Sequence, residues 1–185
     1  MRIVAGTHRG VQLADVGAGD PAAHLRPTSD RVRESLFNML DGGRFGSPLR
    51  DARVLDLFAG TGALGLEALS RGARHATFVD NGAAAGSLLQ ANITKLRRAA
   101  DTTVLRVDAT AIPAAITACD LIFIDPPYGQ RLGAQALLAA RAGGWIAPGA
   151  LIVWEEASPQ IAPMGFKRLD QRQYGSTWIT LLEAP

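Results

Sequence analysis

Asp125, Pro126, Pro127 and Tyr128 stand together in a set whose types and order suit one kind of chemistry. A carboxylate and the carbonyls beside it can accept both hydrogens of an exocyclic amine. The prolines offer no N–H donor and stiffen the loop. The tyrosine ring gives a flat base a surface to stack on. Together the four would align an amine nitrogen for attack on an electrophilic methyl group. The plainer reading of the same residues is a proline-rich turn whose Asp opens the next helix. The set follows the apolar run Leu121-Ile122-Phe123-Ile124, which reads as a buried parallel strand. It therefore falls where a strand ends, the place where open α/β sheets bind ligands.

A second set is glycine-rich. Gly60, Gly62 and Gly65 follow Val54-Leu55-Asp56-Leu57-Phe58-Ala59 and match the G-x-G-x-x-G dinucleotide fingerprint. Two features oppose a nicotinamide reading. Asp56 lies four residues before Gly60, at the strand end facing the ligand, where an anion disfavours a pyrophosphate and suits an ammonium. No downstream histidine or lysine is placed for hydride transfer to a carbonyl. S-adenosylmethionine fits better, being cationic and free of phosphate, and it carries the methyl group the Asp125 loop needs. Asp80, ending Thr77-Phe78-Val79, is placed to chelate the two ribose hydroxyls. Asp108, ending Leu105-Arg106-Val107, is placed to accept from the adenine amine, with the Ala109 N–H donating to a ring nitrogen. Phe58 stands beside the glycine loop and the cofactor. A helix cap is the ordinary job of any one such acid. Four successive strand ends each carry one, Asp56, Asp80, Asp108 and Asp125, and that recurrence favours a shared site.

The elements that must position these residues alternate. Strands are read at 53–57, 75–79, 103–107, 121–124 and 150–155, and helices near 63–71, 83–98, 110–116 and 133–142. Such alternation means a parallel sheet with helices on both faces. Two further strands, 166–173 and 177–183, flank Tyr174-Gly175-Ser176 and append an antiparallel hairpin, making seven strands. Ahead of the alternation, residues 2–13 read as a short β-hairpin turning at His8 and Arg9. Residues 14–24 read as a loop. A helix then follows a cap at Thr28 or Ser29, with Val32, Leu36, Met39 and Leu40 as its apolar stripe, and Asp41-Gly42-Gly43 ends it. The expected division is an N-terminal extension, 1–42, and a catalytic domain, 43–185.

Composition narrows the function classes. The 185 residues are 48% hydrophobic and 19% charged, with a formal charge of only +2, so no large basic field surrounds the molecule. Lysine stands only at Lys95 and Lys167, and every other cation is arginine. Arginine suits phosphates and guanine edges, although a genomic bias toward arginine codons gives the same count. One cysteine, Cys119, excludes an intrachain disulfide and a cysteine metal cluster. His8, His24 and His75 lack ligand spacing, so no metal site is expected. Trp145, Trp154 and Trp178 read as packing residues. The start Met1-Arg2-Ile3-Val4-Ala5-Gly6 lacks the apolar region of a signal peptide, and a cytoplasmic monomer is expected.

The chain resembles the bacterial 16S ribosomal RNA guanine-N2 methyltransferases that modify guanine 966 of the small subunit. The resemblance rests on Arg2-Ile3-Val4-Ala5-Gly6 with Arg9-Gly10, on the stretch from Arg26-Pro27-Thr28 through Arg31, Arg33 and Phe37, and on Asp56 through Ala68. It covers nearly the whole chain. The arginine blocks are its specific part, because Asp-Pro-Pro-Tyr also fits DNA adenine and cytosine methylases. The second-strand acid is often Glu in that family, whereas here it is Asp80. The resemblance implies a class I methyltransferase fold with an N-terminal hairpin. It implies transfer from S-adenosylmethionine, leaving S-adenosylhomocysteine, to N2 of a guanine in 16S RNA within the small subunit, with ribosomal proteins as possible neighbours. Arg2, Arg9, Arg26, Arg31 and Arg33 are then the RNA-contacting candidates, with a solvated helix face as the alternative for each. The competing functions are a DNA amino-methyltransferase, which would need a target-recognition segment this chain has no room for, and an S-adenosylmethionine-binding ribosome assembly factor without catalysis.

Overall fold

A computed structural model describes residues 1–14 and 30–185. Seven strands form one sheet: β1 (Arg53–Leu57), β2 (His75–Val79), β3 (Thr102–Leu105), β4 (Cys119–Ile124), β5 (Ile146–Glu156), β6 (Lys167–Tyr174) and β7 (Thr177–Glu183). Their spatial order is β3-β2-β1-β4-β5-β7-β6. The strands from β3 to β5 pair in parallel, and β7 runs antiparallel between β5 and β6. The helices are α1 (Asp30–Asp41), α2 (Ala63–Ser70), α3 (Ala83–Lys95) and α4 (Leu132–Ala142).

The period of two along each strand divides the core. On β4, Leu121 and Phe123 face the layer built by α1, α2 and α3, while Ile122 and Ile124 face α4 and the segment around Ile112. The Phe123 ring lies 5.6 Å from that of Phe37 in α1. A strand covered on both faces is largely apolar, which is why β4 was visible as the uninterrupted run Leu121 to Ile124. From β1 the chain moves outward to β2 and β3, then returns to β4 on the other side of β1. This reversal opens a crevice beyond the ends of β1 and β4, the ligand position of such sheets.

The N-terminal hairpin closes around a single Arg2–Gln12 bridge, with Ile3 N donating to Val11 O at 3.0 Å and Gly10 N to Ile3 O at 2.8 Å. A 3-10 turn, Gly6–His8, forms its tip. Ile3 and Leu13 are buried in the same core as Val54, Leu66 and Phe78. Gly6 takes φ +80°, and a Cβ there would collide with the Ser70 carbonyl. This is a close approach only glycine permits. The loop expected over 14–24 beyond Ala14, the cap at Thr28 or Ser29, and Arg26 lie outside the described residues.

Two sequence expectations need correction. The buried stripe of α1 is Arg33, Leu36, Phe37 and Leu40, not Val32, Leu36, Met39 and Leu40; its spacing is that of one helical face. The helix expected over 110–116 is a single 3-10 turn, Ala109–Ala111. Pro113 explains the difference, because the residue before a proline is driven from helical to extended backbone, and Ile112 has φ −60° and ψ 135°.

Candidate active site

The four acids read from the sequence are brought to one edge of the sheet, on the four neighbouring strands β3-β2-β1-β4. Asp80 and Asp125 directly follow β2 and β4, Asp56 is the penultimate residue of β1, and Asp108 lies three residues beyond β3.

Asp56 is buried, and its Oδ2 accepts from Gly65 N at 2.9 Å. Gly65 lies in the first turn of α2, and the cap residue Gly62 has no side chain to satisfy that turn. Asp56 therefore supplies the missing acceptor from the strand below. Burial pushes its carboxyl up to about 8, against the Gly65 hydrogen bond that lowers it, with the nearby Asp80 raising it further. Asp56 is thus largely neutral at pH 7 until a cation offsets the cost of its charge. Gly65 is also required by packing, since a Cβ would run into the Phe78 ring.

Asp80 bridges two backbones. Its Oδ2 accepts from Gly60 N at 2.8 Å and its Oδ1 from Gly82 N at 2.7 Å. It so fastens the glycine loop to the start of α3. Each carboxylate oxygen accepts more than one bond, which leaves acceptor capacity for hydroxyls. Asp108 is exposed, and its Oδ1 accepts from Thr110 N and Oγ1 at 2.8 and 2.7 Å. Those two bonds hold its carboxyl below the usual range. Ala109 beside it is buried. Phe58 takes φ +63°, a left-handed backbone that a bulky residue adopts only under constraint, and its ring is half-buried next to the glycine loop.

The loop Asp125 to Tyr128 is tied to β1 through Asp125 N and Leu57 O at 3.4 Å. Pro126 is buried, while Asp125, Pro127 and Tyr128 are half-buried at the crevice. The Tyr128 hydroxyl donates to Glu155 Oε1 at 3.0 Å and lies 3.3 Å from Thr177 Oγ1. Burial raises the phenol above its usual range, and the Glu155 and Asp125 charges add to the rise.

Glu155 and Thr177 escaped the sequence reading, although Glu155 repeats the pattern of an acid at a strand end, one strand further along. Asn92 also escaped it. This buried side chain accepts from Ala14 N at 2.7 Å and donates to Ala14 O and Thr61 O at 3.1 and 3.0 Å, joining the N-terminal segment to the glycine loop.

The arginine candidates divide. Arg2, Arg9 and Arg31 are exposed. Arg33 is fully buried, donating to Arg2 O and, at 2.8 Å, to Asp30 Oδ1, with Glu67 at 4.0 Å. It cannot present its guanidinium to a phosphate, and its expected RNA contact is withdrawn. Burial pushes the Cys119 thiol up to about 11, which removes it as a nucleophile. Among the described residues no group of three or more His, Cys, Asp or Glu could hold a metal ion, and no helix is long and apolar enough to cross a membrane.

A glycine loop capped by Asp56, an acid after β2, and Asp-Pro-Pro-Tyr after β4, on a sheet closed by an antiparallel hairpin, define a class I methyltransferase. The family model described as Conserved hypothetical protein 95 matches residues 1–183, and the chain belongs to that family. Ribosomal RNA small subunit methyltransferase D of Escherichia coli K12 is 38% identical over 156 residues, 84% of this chain and 74% of that protein. The protein of the same name from Haemophilus influenzae is 33% identical over 182 residues, covering 95% and 89%. The solved structure of yhhF from Escherichia coli has a TM-score of 0.83 at 33% identity, covering 100% of this chain and 97% of the other.

Proposed function

We propose that this chain transfers a methyl group from S-adenosylmethionine to the exocyclic N2 amine of a guanine in 16S ribosomal RNA of the small subunit. One observation supports the reading: Asp56, Asp80, Asp108 and the Asp125 loop stand at or just beyond the same ends of four neighbouring strands. That donor set fits S-adenosylmethionine and opposes a dinucleotide, because it offers acceptors to an ammonium, a ribose and an adenine amine and sets carboxyl groups where a pyrophosphate would need donors. Asp56 would hold the ammonium, Asp80 the ribose, and Asp108 with Ala109 N–H the adenine edge, with Phe58, Gly60 and Gly62 shaping the wall. When bound, S-adenosylmethionine supplies an electrophilic methyl group on a cationic sulfur.

The chain's own part is alignment. The guanine amine is a weak nucleophile because its lone pair is delocalised into the ring. Asp125 and the Pro126 carbonyl accept its two hydrogens and favour a pyramidal nitrogen whose lone pair points at the methyl. Pro127 keeps the loop stiff and Tyr128 stacks on the base, which must leave its own stack to enter. Holding the pair in line supplies most of the rate gain. Residues 1–42 would dock the RNA through Arg2, Arg9, Arg26 and Arg31, with phosphates as partners, while residues 43–185 perform the chemistry.

The test is tritiated methyl transfer to unmodified small subunits, with naked 16S RNA and DNA alongside, followed by mapping of the label. Label on N2 of one guanine is expected. Asp125→Ala should lower the rate by about 10²-fold or more while S-adenosylhomocysteine binding, read by calorimetry, persists. Label on DNA, or no label on any RNA despite cofactor binding, would overturn the reading.

A further inference from the structure

Glu155 is a buried carboxylate with no part in the proposal above. It is 4% exposed on β5, beside the catalytic loop, because Ile124 pairs with Trp154 in the sheet and Asp125 therefore follows in register with Glu155. From β7, Ile179 pairs with Glu155 and Trp178 with Glu156, so the β6–β7 turn rises at the same edge. Two hydroxyls converge on this spot, the phenol of Tyr128 and Thr177 Oγ1, 3.3 Å apart. The phenol donates to Glu155 at 3.0 Å, so Thr177 is left to donate to the phenol oxygen.

This arrangement costs stability. An apolar residue at position 155 would spare the strand the desolvation of a carboxylate. A bare phenyl ring would stack on a base as well as a phenol ring does, so the hydroxyl serves only the bonds behind it. The ring itself is half-buried. A ring held at its para position by two partners on two different strands cannot swing out of the loop.

We propose that Glu155 is a positioning residue that fixes the long axis of the Tyr128 ring through its hydroxyl, with Thr177 as the second anchor. The inference rests on the reading that the target base stacks on Tyr128. It makes the C-terminal hairpin a supporting wall of the site, and it gives the turn Tyr174-Gly175-Ser176-Thr177 a purpose: it delivers Thr177 to the ring. Gly175, at φ +63°, allows the tight two-residue connection this needs.

Two measurements test it. The chain has two tyrosines, so a Tyr174→Phe background leaves Tyr128 alone, and absorbance at about 295 nm follows its ionisation without any substrate. Ionisation above the usual tyrosine range, near 10, is expected, and Glu155→Gln should bring it down while far-ultraviolet circular dichroism stays unchanged. An ionisation that ignores Glu155→Gln would overturn the tether. The second measurement is methyl transfer to small subunits by Glu155→Gln, Tyr128→Phe and the double variant in the otherwise native chain. Each single change should lower kcat/KM by about tenfold, S-adenosylhomocysteine affinity should hold, and the double variant should be no worse than Tyr128→Phe. Multiplying losses would show that Glu155 acts by another route and overturn the proposal. No transfer to RNA by the native chain, alongside the expected ionisation shift, would overturn the base-stacking role and the RNA reading together while leaving the tether established.

Discussion

Asp56 shows how one carboxyl can serve structure and chemistry by changing charge. Its burial raises it from 3.8 to about 8. The folded chain therefore holds a proton there that the unfolded chain releases above pH 4. The contribution of this group to stability falls as pH rises from about 4 to about 8 and then levels off, because at this group the unfolded state binds fewer protons throughout that window. Asp56→Asn should flatten this contribution, so its melting temperature relative to the native chain should improve between pH 5 and pH 8. Thermal unfolding at those two values checks it, and a constant difference would show that Asp56 ionises normally. The placement of the strand-end acids was legible in the sequence. Asp125 follows the apolar run Leu121 to Ile124, and Asp80 follows Phe78-Val79, so each stands out against the buried strand before it. Arg33 was misread because charge suggests a surface. Its spacing to Leu36, Phe37 and Leu40 placed it on the buried face, but only the structure reveals the acidic partner that makes burial tolerable.

At the scale of elements, α2 joins the N-terminal hairpin to the sheet. Its sequence, ALGLEALS, is apolar apart from Glu67 and Ser70, and a helix apolar nearly all round is buried. Glu67 is fully buried and accepts from Val4 N at 2.7 Å, Ala5 N at 3.0 Å and Arg71 Nε at 2.7 Å. Arg71 continues to Asp41 and lies 5.0 Å over the Phe37 ring. Glu67→Ala would leave Arg33 and Arg71 as buried cations without their shared acid. A loss of about 3–5 kcal/mol is expected by urea unfolding; a loss under about 1 kcal/mol would show the network to be incidental. The succession of strands and helices along the chain followed from their alternation, apart from the helix expected over 110–116, and β1, β2 and β7 have the bounds read from the sequence. The docking of the N-terminal hairpin did not follow, because nothing in residues 2–13 names a partner more than sixty residues away.

At the scale of the whole molecule, a net charge of +2 leaves RNA affinity to a few placed cations rather than a general field. Arg2, Arg9 and Arg31 are the exposed members of the N-terminal set. Arg9→Gln and Arg31→Gln should each weaken subunit binding across all RNA sequences and lower the slope of log affinity against log salt by about 1. Filter binding from low to moderate salt measures this. Unchanged slopes would remove the N-terminal segment as the docking face. The overall architecture was legible because short apolar runs alternating with helical stretches leave few arrangements, whereas the set of exposed cations depends on which charges the core consumes, as Arg33 shows.

Asn92 and Glu67 together fasten the first residues of the chain to residues made long after them. During synthesis the hairpin has nothing to close upon until α2 and then α3 have left the ribosome. Ile3 and Leu13, both core residues, stay uncovered throughout that interval. The N-terminal hairpin is thus completed only when the glycine loop is braced, so a nascent or truncated chain would acquire neither ahead of the other.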